Sequence, residues 1–595
     1  MRFELRGHES DPAAAWALVG DTDEVSRAVG HPRFLMEMVP DDFGFPEVRG
    51  TVVGPGPLSH RFVERDSRWV RGRWVVQDRH IDGIGISRMR YEARLEPSGA
   101  GVVPSIVLTV DPRFAVGDLA VWLNEAPKMR RWQAMLDALP RPGEAAAAGA
   151  RRELPGPVRG ALARWEAAGG PAPVVAAVES WMQTARAASL RELRPWGFAR
   201  AQRLPREGLV DALLGAVDAG ALELYFAARC PRCLGTVEQA DTLSDVADHA
   251  TCGSCRISFR PDLDEHIEVR FAAPVGLRPA AEARYCTLFP VERPEVLALL
   301  TLGPGVTEDI EVDIPPGTWF LGSGGDVADQ ELLASDVGAA SAVEWEAGVA
   351  AAPLGVAPGV VRLRLHNPGP GRQRVQLAGR VAADEPLTAG HLVLTPGWRR
   401  RHGSRGLAAD VRLGVRAVAI LFTDLTGSAA LYSEVGDAEA FRLVHAHFRL
   451  LESAVEAAGG VRVKSIGDAL MAAFPSPLAA LQAAVDIQRR FGPWVQGLGM
   501  ARPPGLRVGV HFGPALAVHT DQAGLDYFGG TVNLASRCEG RAPRGGIATT
   551  PSVAGDPACA QWLAAEGIVA EPFEAEVKGL PGVQKLLRMQ ISREV

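Results

Sequence analysis

The sequence predicts a multidomain α+β protein whose C-terminal module is a ferredoxin-like sheet with helices on one face, behind a β-rich middle and a mixed N-terminal domain. Three observations lead there. The chain has 595 residues, and at roughly 100–200 residues per domain that suggests about three to five domains. Two Cys-x-x-Cys pairs punctuate its middle. After residue 416 the apolar pattern runs strand, helix, hairpin, helix, strand, an order that closes into one α+β layer pair.

Composition excludes several classes. Hydrophobic residues make up 47% and charged residues 22%, which is globular material and not a disordered chain. A net charge of -7 argues against a dedicated nucleic-acid binder. The opening Met1-Arg2-Phe3-Glu4-Leu5-Arg6 has no apolar signal core, and no apolar run is long enough to cross a bilayer. A soluble, cytoplasmic protein with no membrane partner is expected. Seven cysteines in so long a chain do not suggest a disulfide scaffold.

Residues 1–140 open with a helical run, continue through half-buried strands such as Arg61–Arg65, and end in a helix from Asp118 to Leu139. Residues 141–228 read as a linker and helical region. Cys230, Cys233, Cys252 and Cys255 then fit the spacing of a zinc ribbon over 229–262. Four thiolates would close a tetrahedral structural site for Zn²⁺, with a redox dithiol as the alternative. Residues 263–397 alternate short strands with Pro/Gly turns such as Asn367-Pro368-Gly369-Pro370-Gly371, the pattern of a β-sandwich. The charge run in Trp398–Ser404 marks 398–415 as a solvated linker.

In residues 416–591 the first strand ends at Asp424, and Gly467-Asp468 forms the turn of a hairpin. Two carboxylates at one sheet edge suit magnesium, which takes one or two carboxylates plus phosphate oxygens. A helix from about Ala438 to Ala458, with Asp437 at its cap, turns Phe441, Val444, Phe448, Leu451 and Val455 toward a core. Ser476-Pro477 opens a second helix. Asn533 and Arg537, four apart on a helix, share a face.

Four segments carry a resemblance: Phe422-Thr423-Asp424-Leu425-Thr426-Gly427-Ser428, Val463-Lys464-Ser465-Ile466-Gly467-Asp468-Ala469, the run from Asp526 to Arg537, and Val577-Lys578-Gly579. In this order they resemble the motifs of class III adenylate/guanylate cyclases. The resemblance implies that Asp424, Asp468 and the Leu425 carbonyl hold two Mg²⁺ or Mn²⁺ ions per active site. It assigns the ribose to Asn533, the α-phosphate to Arg537, and the outer phosphates to Lys578 and Arg507. Lys464, a donor, suits adenine N1, and Asp526, an acceptor, suits the N6 amino group, which favours ATP over GTP. In that family the metal aspartates and the base, ribose and phosphate residues of one site come from different subunits, so one module per chain implies a homodimer. Guanylate cyclase, or a silent nucleotide-binding scaffold, is the alternative.

The N-terminal run Asp11-Pro12-Ala13-Ala14-Ala15-Trp16-Ala17-Leu18-Val19, followed by Asp21-Thr22-Asp23, resembles the opening of START-like (SRPBCC) domains. That resemblance implies a helix-grip fold around an apolar cavity, with an apolar small molecule as its ligand.

Overall fold

The computed structural model describes the chain apart from residues 32–33, 41–45, 53–59, 83–85, 114–116, 145–150, 187–188, 232–233, 253–256, 279–295, 323–329, 339, 350, 382–385, 403–411, 428–432, 501, 521–523, 577–581 and 592–595. Asp11 starts the first helix, Pro12–Val19, by accepting from Ala14 N at 2.9 Å with Pro at the first helical position. A second short helix, Thr22–Val29, follows, then a run of antiparallel strands and the long helix Gly117–Asp137. Val121, Met129, Trp132 and Leu136 of that helix bury against Ala93, Leu95, Ile106, Leu108 and Val110 of the sheet.

The same sheet face turns charged at one end. Gln77 and Arg79 pair across the sheet with Tyr91 and Met89, which pack into this core. Both donate to Glu64 Oε2, at 2.8 and 3.2 Å. Close by, burial and then Lys128 and Arg79 push the His31 imidazole down to about 3. An interior expected to be apolar therefore carries ions. Glu64 tolerates burial because its oxygens meet donors, without which a buried carboxylate is costly.

Trp69 and Val70 pair with Leu299 and Ala298, so this sheet continues without a break into the β-rich middle. There it faces a second sheet, built of strands Thr307–Ile314, Ala342–Glu346 and Gly359–His366. Ile310, Val312, Val361, Leu363 and Leu365 meet Trp319, Leu321, Val375 and Leu377 between the layers. The expected turn at Asn367 carries the chain from one sheet to the other. Its buried amide donates to the carbonyls of Leu302, Gly303 and Gly371, which satisfies the polar groups of the corner.

Helices Gly156–Ala167, Ala172–Thr184, Pro195–Gln202 and Leu209–Asp218 pack with strands Glu223–Arg229 and Ile267–Ala272 into one large core. Here the expectation of a solvated linker fails. Pro396–His402 is a helix, Trp398 is buried edge-on against Phe226, and Arg399 donates to Leu525 O at 2.7 Å. Leu392, Val393 and Leu394 supply the apolar face that draws the segment in. Its arginines hid that face from a reading by charge.

The C-terminal module contains β1 (Arg412–Thr426), α1 (Asp437–Ala457), β2 (Val461–Ile466), β3 (Ala469–Phe474), α2 (Pro477–Gln496), β4 (Gly505–Thr520), β5 (Gly524–Phe528), α3 (Gly530–Glu539) and β6 (Gly546–Thr549). Strand order β2-β3-β1-β4-β6 is antiparallel except between β4 and β6, and β5 folds back on β4. Alternation along β1 sends Ala419 and Leu421 to the side covered by α1 and α2. Val418, Ile420 and Phe422 go to the other side, into the core shared with the upstream helices. α2 starts at Ser476-Pro477 as expected, and Ser476 caps it by accepting from Ala479 N at 3.2 Å. Gly436 rather than Asp437 sits at the α1 cap. Phe441, expected in the core, is 60% exposed, because the buried stripe of α1 runs through Ala440 and Val444 and leaves Phe441 beside it.

Candidate active site

Thr423 places the first carboxylate. Its side chain points inward from β1, fully buried, and its hydroxyl accepts from Leu470 N at 3.2 Å. That bond ties the β2–β3 hairpin to the end of β1 and sets Asp468 beside Asp424. Gly467 supplies the left-handed turn, with φ +65. Asp468 keeps Oδ2 buried with no hydrogen-bond partner. Asp424 Oδ2 accepts from Arg507 Nη2 at 2.5 Å, across the β1–β4 pair.

A third carboxylate belongs to this cluster, one that spacing did not single out. Glu539, the last residue of α3, lies 3.0 Å from Arg507 Nε. Burial pushes its carboxyl up to about 7 against the pull of Arg507, and the Asp424 and Asp468 charges push the same way as burial. Its position two residues beyond Arg537 was the only signal available.

The second group gathers between β2 and β5. Lys464 Nζ donates to Asp526 Oδ2 at 2.6 Å and lies 5.7 Å from the centre of the Phe528 ring. Asp526 is 2% exposed, and its other oxygen accepts from Tyr527 N at 2.8 Å. The structure thus joins the two residues expected to read a base. Asn533 and Arg537 lie exposed on α3. Leu425 is buried at the end of β1. Lys578 falls outside the described residues, as do Cys233 and Cys255. The other two cysteines, Cys230 and Cys252, are buried in one small cluster with Val237 and Ile257.

Residues 413–579 match the family model described as the adenylate and guanylate cyclase catalytic domain. The C-terminal module is a cyclase catalytic domain. Residues 163–287 match a second family, DUF5939, of unknown function, which spans most of the helical module and both cysteine pairs. Among curated relatives, an adenylate cyclase of Mycosarcoma maydis is 32% identical over 173 residues, covering 25% of this chain and 7% of the relative. A receptor-type adenylate cyclase of Trypanosoma congolense is 31% identical over 172 residues, covering 22% of each. The chain therefore spans less than a quarter of the length of either. Among solved structures, the adenylyl cyclase CyaB from P. aeruginosa is 21% identical with a TM-score of 0.27, covering 31% of this chain and 97% of that one. Among the described residues no helix is long and apolar enough to cross a membrane.

Proposed function

We propose that this chain is an adenylate cyclase, forming 3′,5′-cyclic AMP and pyrophosphate from ATP as a homodimer, with its upstream domains regulatory and a cytoplasmic location. The observation that carries the reading is the pair of carboxylates on one guanidinium, Asp424 and Glu539 on Arg507, with Asp468 at the neighbouring hairpin turn. Asp468 keeps a buried oxygen unpartnered beside Asp424 and Glu539, an arrangement left short of positive charge. The donor set fits Mg²⁺ or Mn²⁺ on Asp424, Asp468 and the Leu425 carbonyl. When bound, two such ions neutralise triphosphate charge and lower the pKa of the ribose 3′-hydroxyl.

The chain's own residues account for the rest. Lys464 and Asp526 already lie 2.6 Å apart; parting, they offer a donor to adenine N1 and an acceptor to N6. Arg507 exchanges Asp424 for phosphate oxygens, joined by Lys578. Asn533 orients the ribose, and Arg537 meets the charge that grows on the α-phosphate. The 3′-oxygen forms its bond to the α-phosphorus as the bond to the bridging oxygen breaks; pyrophosphate leaves and the hydroxyl proton is lost. Asn533 and Arg537 are exposed in the single chain, which supports their use by a second copy.

Upstream, the order strand, two short helices, strands and long helix supports a START-like reading of residues 1–140. The charged end of its interior favours a ligand with polar groups over the wholly apolar one first expected. The shared burial of Cys230 and Cys252 supports a structural zinc completed by Cys233 and Cys255.

The test is product formation from ATP and from GTP by the purified full-length chain, with Mg²⁺ or Mn²⁺, beside Asp424→Ala. Cyclic AMP from the wild type alone is expected. Cyclic GTP as the main product would make it a guanylate cyclase, and no product with tight nucleotide binding would make it a scaffold.

A further inference from the structure

Arg507 is held by two carboxylates through two different nitrogens. Nη2 donates to Asp424, while Nε faces Glu539 Oε1 at 3.0 Å. The second contact is an ion pair without hydrogen-bond alignment: neither Arg507 Nε nor Glu539 Oε1 has a hydrogen-bond partner. The Glu539 side chain is 14% exposed, a place where a carboxylate without a partner is costly.

The backbone holds Glu539 in this place. A Cβ on Gly509 of β4 would lie 2.0 Å from Glu539 N and 2.5 Å from Ala535 O. The end of α3 therefore rests directly on the strand that carries Arg507 two residues earlier. Only glycine permits that approach, and it fixes how far the Glu539 carboxyl stands from the guanidinium.

We infer that Glu539 is a positioning residue for Arg507, gripping its Nε so that the Nη1/Nη2 fork faces the triphosphate once Asp424 turns to cations. The inference rests on the cyclase reading of the site. A fork held from behind presents two parallel donors to phosphate oxygens, the geometry in which arginine binds them best. Loss of Glu539 removes the carboxylate that holds Nε, and the interaction weakened is with the phosphate chain, not the base. The same grip joins Arg507 to α3, the helix that carries Asn533 and Arg537.

The experiment compares wild type, Glu539→Gln, Glu539→Ala, Arg507→Ala and the Glu539→Ala/Arg507→Ala double variant in the full-length chain. Calorimetry with pyrophosphate, α,β-methylene-ATP and adenosine is run beside steady-state kinetics at several Mg²⁺ concentrations. Glu539→Ala is expected to weaken pyrophosphate and the ATP analogue by about tenfold and raise KM similarly, with kcat less affected and adenosine unchanged. Glu539→Gln, which keeps an acceptor, retains most of the affinity. In the Arg507→Ala background the loss of Glu539 adds less than about twofold, since neighbours that act together are non-additive. Independent, multiplying effects would overturn the proposal. So would an effect seen only as a higher Mg²⁺ requirement, which would make Glu539 a metal ligand. Should wild type bind pyrophosphate but form no cyclic nucleotide, the cyclase reading fails while the binding series still decides the role of Glu539.

Discussion

At the scale of single residues, burial sets the chemistry of side chains that look ordinary in sequence. Glu268 is 2% exposed among Arg270, Arg229 and Arg194. Burial pushes its carboxyl up, and the three arginines overcome that and hold it down to about 2. His511 is the opposite case. It sits on β4 with Nδ1 2.7 Å from Thr550 Oγ1, and burial takes its imidazole from 6.5 to about 4. Between those values the unfolded chain binds the proton and the folded chain does not, so stability falls as pH falls from 6.5 toward 4. His511→Asn should make the decline of Tm across that window shallower. An unchanged slope in thermal denaturation between pH 6.5 and 4 would mean that His511 titrates as freely folded as unfolded. Other depressed histidines, His31 among them, leave part of the slope in place.

At the scale of elements, two contacts decide how the catalytic module is built and held. One is the seat of α3 on β4 at Gly509. Gly509→Val should lift the helix and displace Asn533, Arg537 and Glu539 together. Overpacking of this kind costs about 1–3 kcal/mol, so the denaturation midpoint should fall and turnover should drop further than stability alone explains. Full turnover in a folded Gly509→Val chain would show that the close seat is dispensable. The other contact is the helix Pro396–His402, whose Arg399 reaches the Leu525 carbonyl and lies 5.9 Å from the centre of the Tyr527 ring, on either side of Asp526. Nearby, Arg416 at the start of β1 pairs with Asp262 and Glu265, at 3.2 and 2.7 Å. The middle module thus grips the cyclase domain at both the first strand and the strand that carries Asp526.

At the scale of the whole molecule, the proposed site is shared between copies. On the proposed reading Asp424→Ala would remove a metal carboxylate and Asn533→Ala a ribose contact, so each homodimer should be nearly inactive. Mixed under conditions that exchange subunits, the two variants should recover one intact site per heterodimer, about a quarter of wild-type activity in a statistical mixture of exchanging C₂ dimers. No recovery from folded, exchanging variants would show that one chain supplies its whole site. The upstream domains are no loose string of modules. One sheet runs from the N-terminal domain through Trp69 and Leu299 into the sandwich, and one core runs from Trp165 through Trp398 to Ile420.

Local order carried what the sequence determined by itself: the strand-helix-hairpin-helix-strand succession, the Gly467-Asp468 turn, the helix start at Ser476-Pro477 and the two carboxylates at one sheet edge. Each depends on neighbours a few residues apart, where periodicity, capping and turn chemistry act. The polar pairings across the fold were decided only by tertiary structure. Lys464 meets Asp526 from 62 residues away because β5 folds back on β4. Glu539 reaches Arg507 because a glycine lets α3 settle on the strand. Trp398 turns a stretch of arginines into a buried helix because apolar neighbours distant in sequence offer it a core. Burial and long-range approach create these contacts, and neither leaves a period to read along the chain.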